Sequence, residues 1–266
     1  MAQERSADRG RQVAVTFSYL VCLVGSMIGV GLFGGTPIAD AAGGALDSAA
    51  TPVAPASGAF SVWSVVYAGL AGYTVLQWFP VAQERQRQLR LPVAGSMLLN
   101  AAWILVVQAG LLWGSVLVIA ALLALLGRIF VILTRTRPDG LLDRVLVDGT
   151  LGIYLGWVCV ATVANIAAAL AASGFGGAGL GPDGWAVAVL VVVAGLGVAL
   201  AVRGGGRFAV GAAIAWGLTW IAVGRSSGEL ESAPAAWAAA AAAAVVLGAT
   251  LVIGVRHRTV AAPAPR

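Results

Sequence analysis

The sequence predicts an all-α, polytopic membrane bundle of about eight transmembrane helices. Three observations predict it. Of 266 residues, 60% are hydrophobic and only 10% are charged, and the mean hydropathy is +0.93. An ordinary soluble domain carries about 25% charged residues, so this chain lacks the polar surface to coat a water-soluble globule. Eight apolar runs each approach the roughly 20 residues that a helix needs to cross a bilayer core. Fifteen of the sixteen arginines fall in alternate connections between those runs. The composition therefore excludes a soluble enzyme and a disordered protein. It also excludes a nucleic-acid-binding domain, because the net charge of +5 comes from arginines scattered in short loops rather than gathered on one face. The lipid bilayer is the first partner implied.

The runs are Val13–Phe33, Phe60–Phe79, Leu91–Ala109, Leu111–Leu133, Val145–Ala171, Trp185–Val202, Phe208–Val223 and Ala235–Val255. The first is longer than the apolar core of a signal peptide and is read as a span, although Ala39-Asp40-Ala41 resembles a weak cleavage site. The seventh is short. The Gln108-Ala109-Gly110 turn separates the third run from the fourth. The last three runs are rich in Ala, Val and Gly, and Ala235–Ala244 is nearly pure alanine.

Arginine placement sets the expected orientation. Arg5, Arg9 and Arg11 precede the first run, and Gly34–Gly58 contains no arginine. Arg85, Arg87 and Arg90 follow the second run; Arg128, Arg135, Arg137 and Arg144 surround the fourth connection. Ala172–Gly184 has none, Arg203 and Arg207 come next, and Arg225 stands alone before Arg256, Arg258 and Arg266. Eight spans with both termini cytoplasmic satisfy this alternation, in a bacterial inner or plasma membrane. Gly34–Gly58 then lies outside, as a long lid or linker rich in small residues and proline.

The chemistry excluded is equally informative. No formal charge sits near the middle of any run, which argues against a proton-coupled pump and a voltage sensor. No His pair exists to clamp a haem, and no Ser or Cys has a His partner within a span. Cys22 and Cys159 give neither a metal spacing nor a disulfide framework, so no metal and no required cofactor are expected. Gly29, Gly31 and Gly34 match G-x-G-x-x-G, but they end a membrane helix and follow no strand. Gly25/Gly29 and Gly152/Gly156 form G-x-x-x-G pairs that permit close helix contact.

One constellation stands out. The chain has two asparagines, Asn100 and Asn165, both deep inside apolar runs. A buried amide in lipid is costly unless it is hydrogen-bonded. Tyr154, Trp157, Ala161 and Asn165 recur at helical spacing and form one stripe about 80° wide. Asn100 and Trp103 are i and i+3, and Trp63 and Tyr67 are i and i+4. Three helices thus each offer an aromatic beside a polar group, the composition of an apolar pocket with a few polar anchors. The competing reading is helix packing with asparagine as interhelical glue.

The run Tyr154-Leu-Gly-Trp157-Val-Cys-Val-Ala161-Thr162-Val-Ala-Asn165 resembles the fifth-helix signature of the TspO/MBR family, the tryptophan-rich sensory proteins related to the mitochondrial translocator protein. Ser61-Val-Trp63-Ser-Val-Val-Tyr67 resembles the start of that family's second helix, and Leu98-Leu-Asn100-Ala-Ala-Trp103 its third-helix motif. The resemblance covers about residues 13–172 and implies a five-helix bundle. Residues 173–255 then add three helices, and residues 1–12 and 256–266 are cytoplasmic tails. The resemblance also implies a porphyrin or another hydrophobic ligand in a pocket among the helices, and a homodimer. Trp63, Tyr67, Asn100, Trp103, Trp157 and Ala161 correspond to the family's pocket, and the stripe adds Tyr154 and Asn165. One departure is the first loop, which keeps Pro52 and Pro55 but has no tryptophan; another is the three added helices. The function expected is binding or sensing of a hydrophobic ligand of tetrapyrrole type. The alternatives are a small-molecule permease and a membrane enzyme that modifies a porphyrin.

Overall fold

The computed structural model describes residues 2–81 and 83–261. Among them eight helices are long and apolar enough to cross a membrane. They are α1 (Ala2–Gly29), α2 (Val62–Leu76), α3 (Gln83–Gln108), α4 (Leu112–Arg135), α5 (Thr150–Ala172), α6 (Gly181–Gly204), α7 (Phe208–Ser227) and α8 (Ala233–Ala261). All eight expected spans are present, and the chain is a multi-pass membrane protein.

The boundaries differ at the polar ends. The tail expected at 1–12 is helical from Ala2, so α1 begins eleven residues before the first apolar run. Ion pairing explains the extension: Asp8 bonds Arg90 of α3, with Arg87 Nε 3.6 Å from the same carboxylate oxygen. One turn later, Gln12 and Gln77 exchange side-chain bonds to each other's carbonyl oxygens. A hydropathy window cannot register such contacts, because each residue involved scores as loop. The tail expected at 256–266 is likewise helical to Ala261, and 262–266 lie outside the described residues.

The helices pack in the order α1, α3, α4, α5, α7, α8, α6, with α2 laid against α5 and α1. Small residues set the closest approaches. A Cβ added at Gly25 would lie 3.1 Å from Ala101 Cβ, and one at Gly156 would lie 2.8 Å from Ala213 Cβ. Both G-x-x-x-G pairs are therefore packing faces, the first for α1 on α3 and the second for α5 on α7. The alanine tract of α8 serves the same end, for Ala235, Ala239, Ala242 and Ala243 are buried in the core.

A wide π turn, Arg144–Gly149, precedes α5 and carries Asp148. Arg85 of α3 bonds both Asp143 and Asp148, and Arg207 at the start of α7 bonds Asp148 from the other side. Gln86 Nε2 donates to Asp143 at 3.2 Å. Each buried charge is thus paired, as its burial requires. The cluster joins α3, the π turn and α7 at the end of the bundle opposite the loop after α1.

That loop, residues 30–61, is folded rather than slack. Ala41, Val53, Ala54 and Ala59 are buried in it. One edge is fixed on α3, where Thr36 N–H donates to Gln108 Oε1 at 3.1 Å. It covers one end of α1, α2, α3 and α5.

Candidate functional site

Trp63 organises the aromatic cluster. It projects from the first turn of α2 and stacks on Tyr67, one turn later, with centroids 5.4 Å apart and planes inclined by 19°. Its other contacts are edge-on: Tyr154 at 5.8 Å and Trp157 at 6.3 Å, both from α5. Phe60, just before α2, meets Trp157 edge-on at 5.6 Å. Edge-to-face pairs at these separations are favourable beyond their buried area. The helical stripe on α5 therefore faces α2.

The two asparagines are committed to neighbouring helices. Asn100 Nδ2 donates to Tyr67 Oη at 2.9 Å, with Cys22 Sγ at 3.4 Å. Asn165 Oδ1 accepts from Trp103 Nε1 at 2.6 Å, and Asn165 Nδ2 donates to Ser115 Oγ at 2.9 Å. Tyr154 Oη donates to the Ser96 carbonyl at 3.1 Å. These bonds link α2, α1, α3, α4 and α5 within the membrane-spanning bundle, where each such bond contributes about 0.6–1.7 kcal/mol. Asparagine does act as interhelical glue, and it also sets the wall beside it: Asn165 fixes the Trp103 ring, and Asn100 fixes Tyr67.

A cavity of about 460 Å³ opens on the other face of this cluster. Its walls are Ser26 and Met27 of α1, Val30 just after it, Trp63, Ser64 and Tyr67 of α2, and Trp103 and Ile104 of α3. The loop closes it with Pro37, Ile38, Leu46, Asp47 and Ser48. The volume lies in the range of small-molecule sites, and the lining is mainly apolar with a few hydroxyls.

The structure divides the eight residues singled out from the sequence. Trp63, Tyr67 and Trp103 line the large cavity. Trp157, Ala161 and Asn165 line a void of about 40 Å³ beneath it, reached past Phe60 and Trp103. Asn100 borders a still smaller space of about 20 Å³ with Trp63 and Trp157. Tyr154 lines none of these three and is fully buried. The physical reason is that Trp63 and Phe60 fill the gap between α2 and α5 with their own rings. The open space is displaced toward α1 and the loop. The sequence reading missed Met27, Ser64 and the loop residues. No signal marked them, since α1 is apolar on most sides and the loop has no helical period.

In comparison with known families, a model described as TSPO-like protein matches residues 12–253. The chain belongs to the TSPO-like family. Among curated proteins and among solved structures no match was found. The family match runs through α6 and α7 and into α8. It therefore includes the helices that the motif resemblance, ending near residue 172, leaves out.

In this TSPO-like chain those added helices reach the site through α7. Arg225, the lone arginine at the loop end among the described residues, donates Nη1 to the Thr51 carbonyl at 3.1 Å and Nη2 to the Ser48 carbonyl. Trp216 Nε1 donates to the Ala59 carbonyl at 3.0 Å, and Ala56 N–H donates to the Trp220 carbonyl at 3.1 Å. Gly58 makes room for the Trp220 ring, for a Cβ there would lie 2.6 Å from Cζ3. The loop is thus held by α3 at Thr36 and by α7 from Ser48 to Ala59. One helix, α7, connects the ion cluster at Arg207 with the lid at Arg225.

Proposed function

We propose that the protein binds a hydrophobic small molecule of the tetrapyrrole class in the cavity beneath the loop, as a binder or sensor. The observation that carries this reading is the cavity of about 460 Å³ walled by the stacked Trp63–Tyr67 pair and by Trp103, whose indole is fixed by Asn165. Flat aromatic walls held in place stack a flat ligand at little entropic cost. Trp157 and Ala161 line the separate small void of about 40 Å³. The TSPO-like assignment supports the reading at the level of the family.

The orientation proposed with it places both termini in the cytoplasm and the lid outside, since by sequence fifteen of sixteen arginines fall in the tails and connections that alternate with the lid's side. A cysteine introduced at the exposed Ala50 should react with a membrane-impermeant thiol reagent in intact cells. The native Cys22 and Cys159 are buried and give a silent background.

The binding reading is tested with purified full-length protein in neutral detergent. A porphyrin diester should quench tryptophan fluorescence saturably and raise the melting temperature, because a ligand that binds only the folded state stabilises it. Trp63→Leu should weaken that quenching and the accompanying thermal shift. Neither quenching nor a thermal shift with the wild-type chain would overturn the reading.

A further inference from the structure

In α4, Leu117, Ala121, Ala124, Arg128, Val131 and Arg135 recur every three or four residues, and all are exposed. The opposite side of the same helix, with Leu122, Leu126, Phe130 and Leu133, is buried. The exposed stripe is therefore the lipid-facing side of α4, and its two charges are both arginines. Trp113, exposed in the first turn, marks the other membrane boundary. Arg128 lies about 23 Å along the helix from Trp113, and Arg135 about 33 Å. A bilayer core is about 30 Å thick, so the backbone of Arg128 sits just inside hydrocarbon and that of Arg135 just beyond it. The Arg128 side chain snorkels outward, and the two guanidinia approach the headgroup level from either side. Among the described residues neither arginine has a hydrogen-bond or ion-pair partner; the carboxylates meet Arg85, Arg87, Arg90 and Arg207 instead. The connection after α4 adds exposed Arg137 and Arg144 against one exposed carboxylate, Asp139. A charge on a membrane-spanning helix is costly until it is paired, so the partner of Arg128 must come from outside the chain.

We propose that the outer stripe of α4 binds an anionic phospholipid, with its phosphate between Arg128 and Arg135 and an acyl chain along Leu117–Val131. Guanidinium matches phosphate in charge and in hydrogen-bond geometry. Two cations and no acid on the stripe favour a headgroup of net negative charge over a zwitterion, whose ammonium would meet like charge. Neither arginine lines the cavity beneath the loop. The lipid site is therefore separate from it and stands whether or not that cavity takes a tetrapyrrole.

The test uses full-length protein in neutral detergent, with phosphatidylglycerol, phosphatidylcholine of the same acyl chains, and inorganic phosphate as probes. Retained lipid is read by native mass spectrometry, and stability by the melting temperature. The wild-type chain should retain phosphatidylglycerol at least about fivefold more than phosphatidylcholine, because each arginine near the headgroups adds to the attraction. Phosphatidylglycerol should also raise the melting temperature, as a ligand of the folded state does. Arg128→Gln combined with Arg135→Gln should cut the preference to about twofold or less, while Arg256→Gln, which removes an exposed arginine of α8, should keep it. Should the double variant fail to fold, Arg128→Gln alone should lower the preference at least about twofold. Equal retention of the two lipids by the wild-type chain would overturn the proposal. So would a preference that the α4 variants leave unchanged, or one that Arg256→Gln lowers as much, which would mean diffuse charge rather than a site. A melting temperature raised as far by inorganic phosphate as by phosphatidylglycerol would make the stripe a plain anion site and overturn its assignment to lipid.

Discussion

Arg225 and Thr51, 174 positions apart in sequence, are joined by a hydrogen bond of 3.1 Å from the guanidinium of α7 to a carbonyl oxygen of the lid. Arg225 is only 2% exposed, so this bond and its companion to Ser48 stand in for the water that the guanidinium has lost. Arg225 on α7 is therefore a structural anchor of the lid.

Arg225→Gln should loosen the lid. The shorter side chain loses both charge-assisted bonds, and two lid carbonyls lose their donor, at a local cost of about 1.5–3 kcal/mol. Amide hydrogen exchange across residues 47–56 should accelerate, with the α4–α5 contact unchanged. Unaltered exchange in the lid would show that Trp216 and Trp220 hold it unaided.

Asn165→Leu should destabilise the bundle and free Trp103. The Trp103 indole N–H and the Ser115 hydroxyl both lose their partner on α5. The loss should be about 0.6–1.7 kcal/mol for each bond broken. It is read as a lower melting temperature together with a shifted tryptophan emission. A variant as stable as the wild type would mean that the two bonds contribute nothing net.

Ala161→Phe should strain the core and leave the large cavity open. Ala161 borders a void of only about 40 Å³, too small for a phenyl ring, so the substitution overpacks α5 at about 1–3 kcal/mol. Ser64→Phe makes the opposite test. Ser64 lines the large cavity from an exposed position on α2. It should block porphyrin-diester binding with little change in melting temperature. If Ala161→Phe blocks binding at unchanged stability, the ligand space lies deeper than the structure places it.

Met27→Leu bears on how a tetrapyrrole is held. Among the described residues that line the cavity, Met27 is the one sulfur-bearing side chain and none is a histidine. Binding by stacking and burial requires no axial ligand, so the substitution should alter the affinities for metal-free and iron porphyrin diesters by the same small factor. A loss confined to the iron form, with a changed Soret band, would make Met27 an iron ligand.

The three motifs were legible because they lie on regular helices. Helical spacing alone put Tyr154, Trp157, Ala161 and Asn165 on one face, and the structure keeps them there. The same regularity could not say whether that face encloses space. Trp63 turns its stacked face to Tyr67 and its edge to Trp157, and with Phe60 it fills the gap that the pattern suggested would be open. Volume is a property of several side chains at once, and no spacing rule within a single helix reports it.

The sequence by itself determined the solvent of this protein and the number of its spans. Both depend on additive quantities, apolar residues per helix length and charge per connection, which survive being read one segment at a time. The tertiary structure decided what depends on contacts between distant segments. It extended α1 by eleven residues through Asp8 and Arg90, moved the cavity to α1 and the loop, and used Arg225 of α7 to hold the lid. A hydrogen bond or a close approach needs two partners brought together, and in a helical bundle helix packing decides which residues meet.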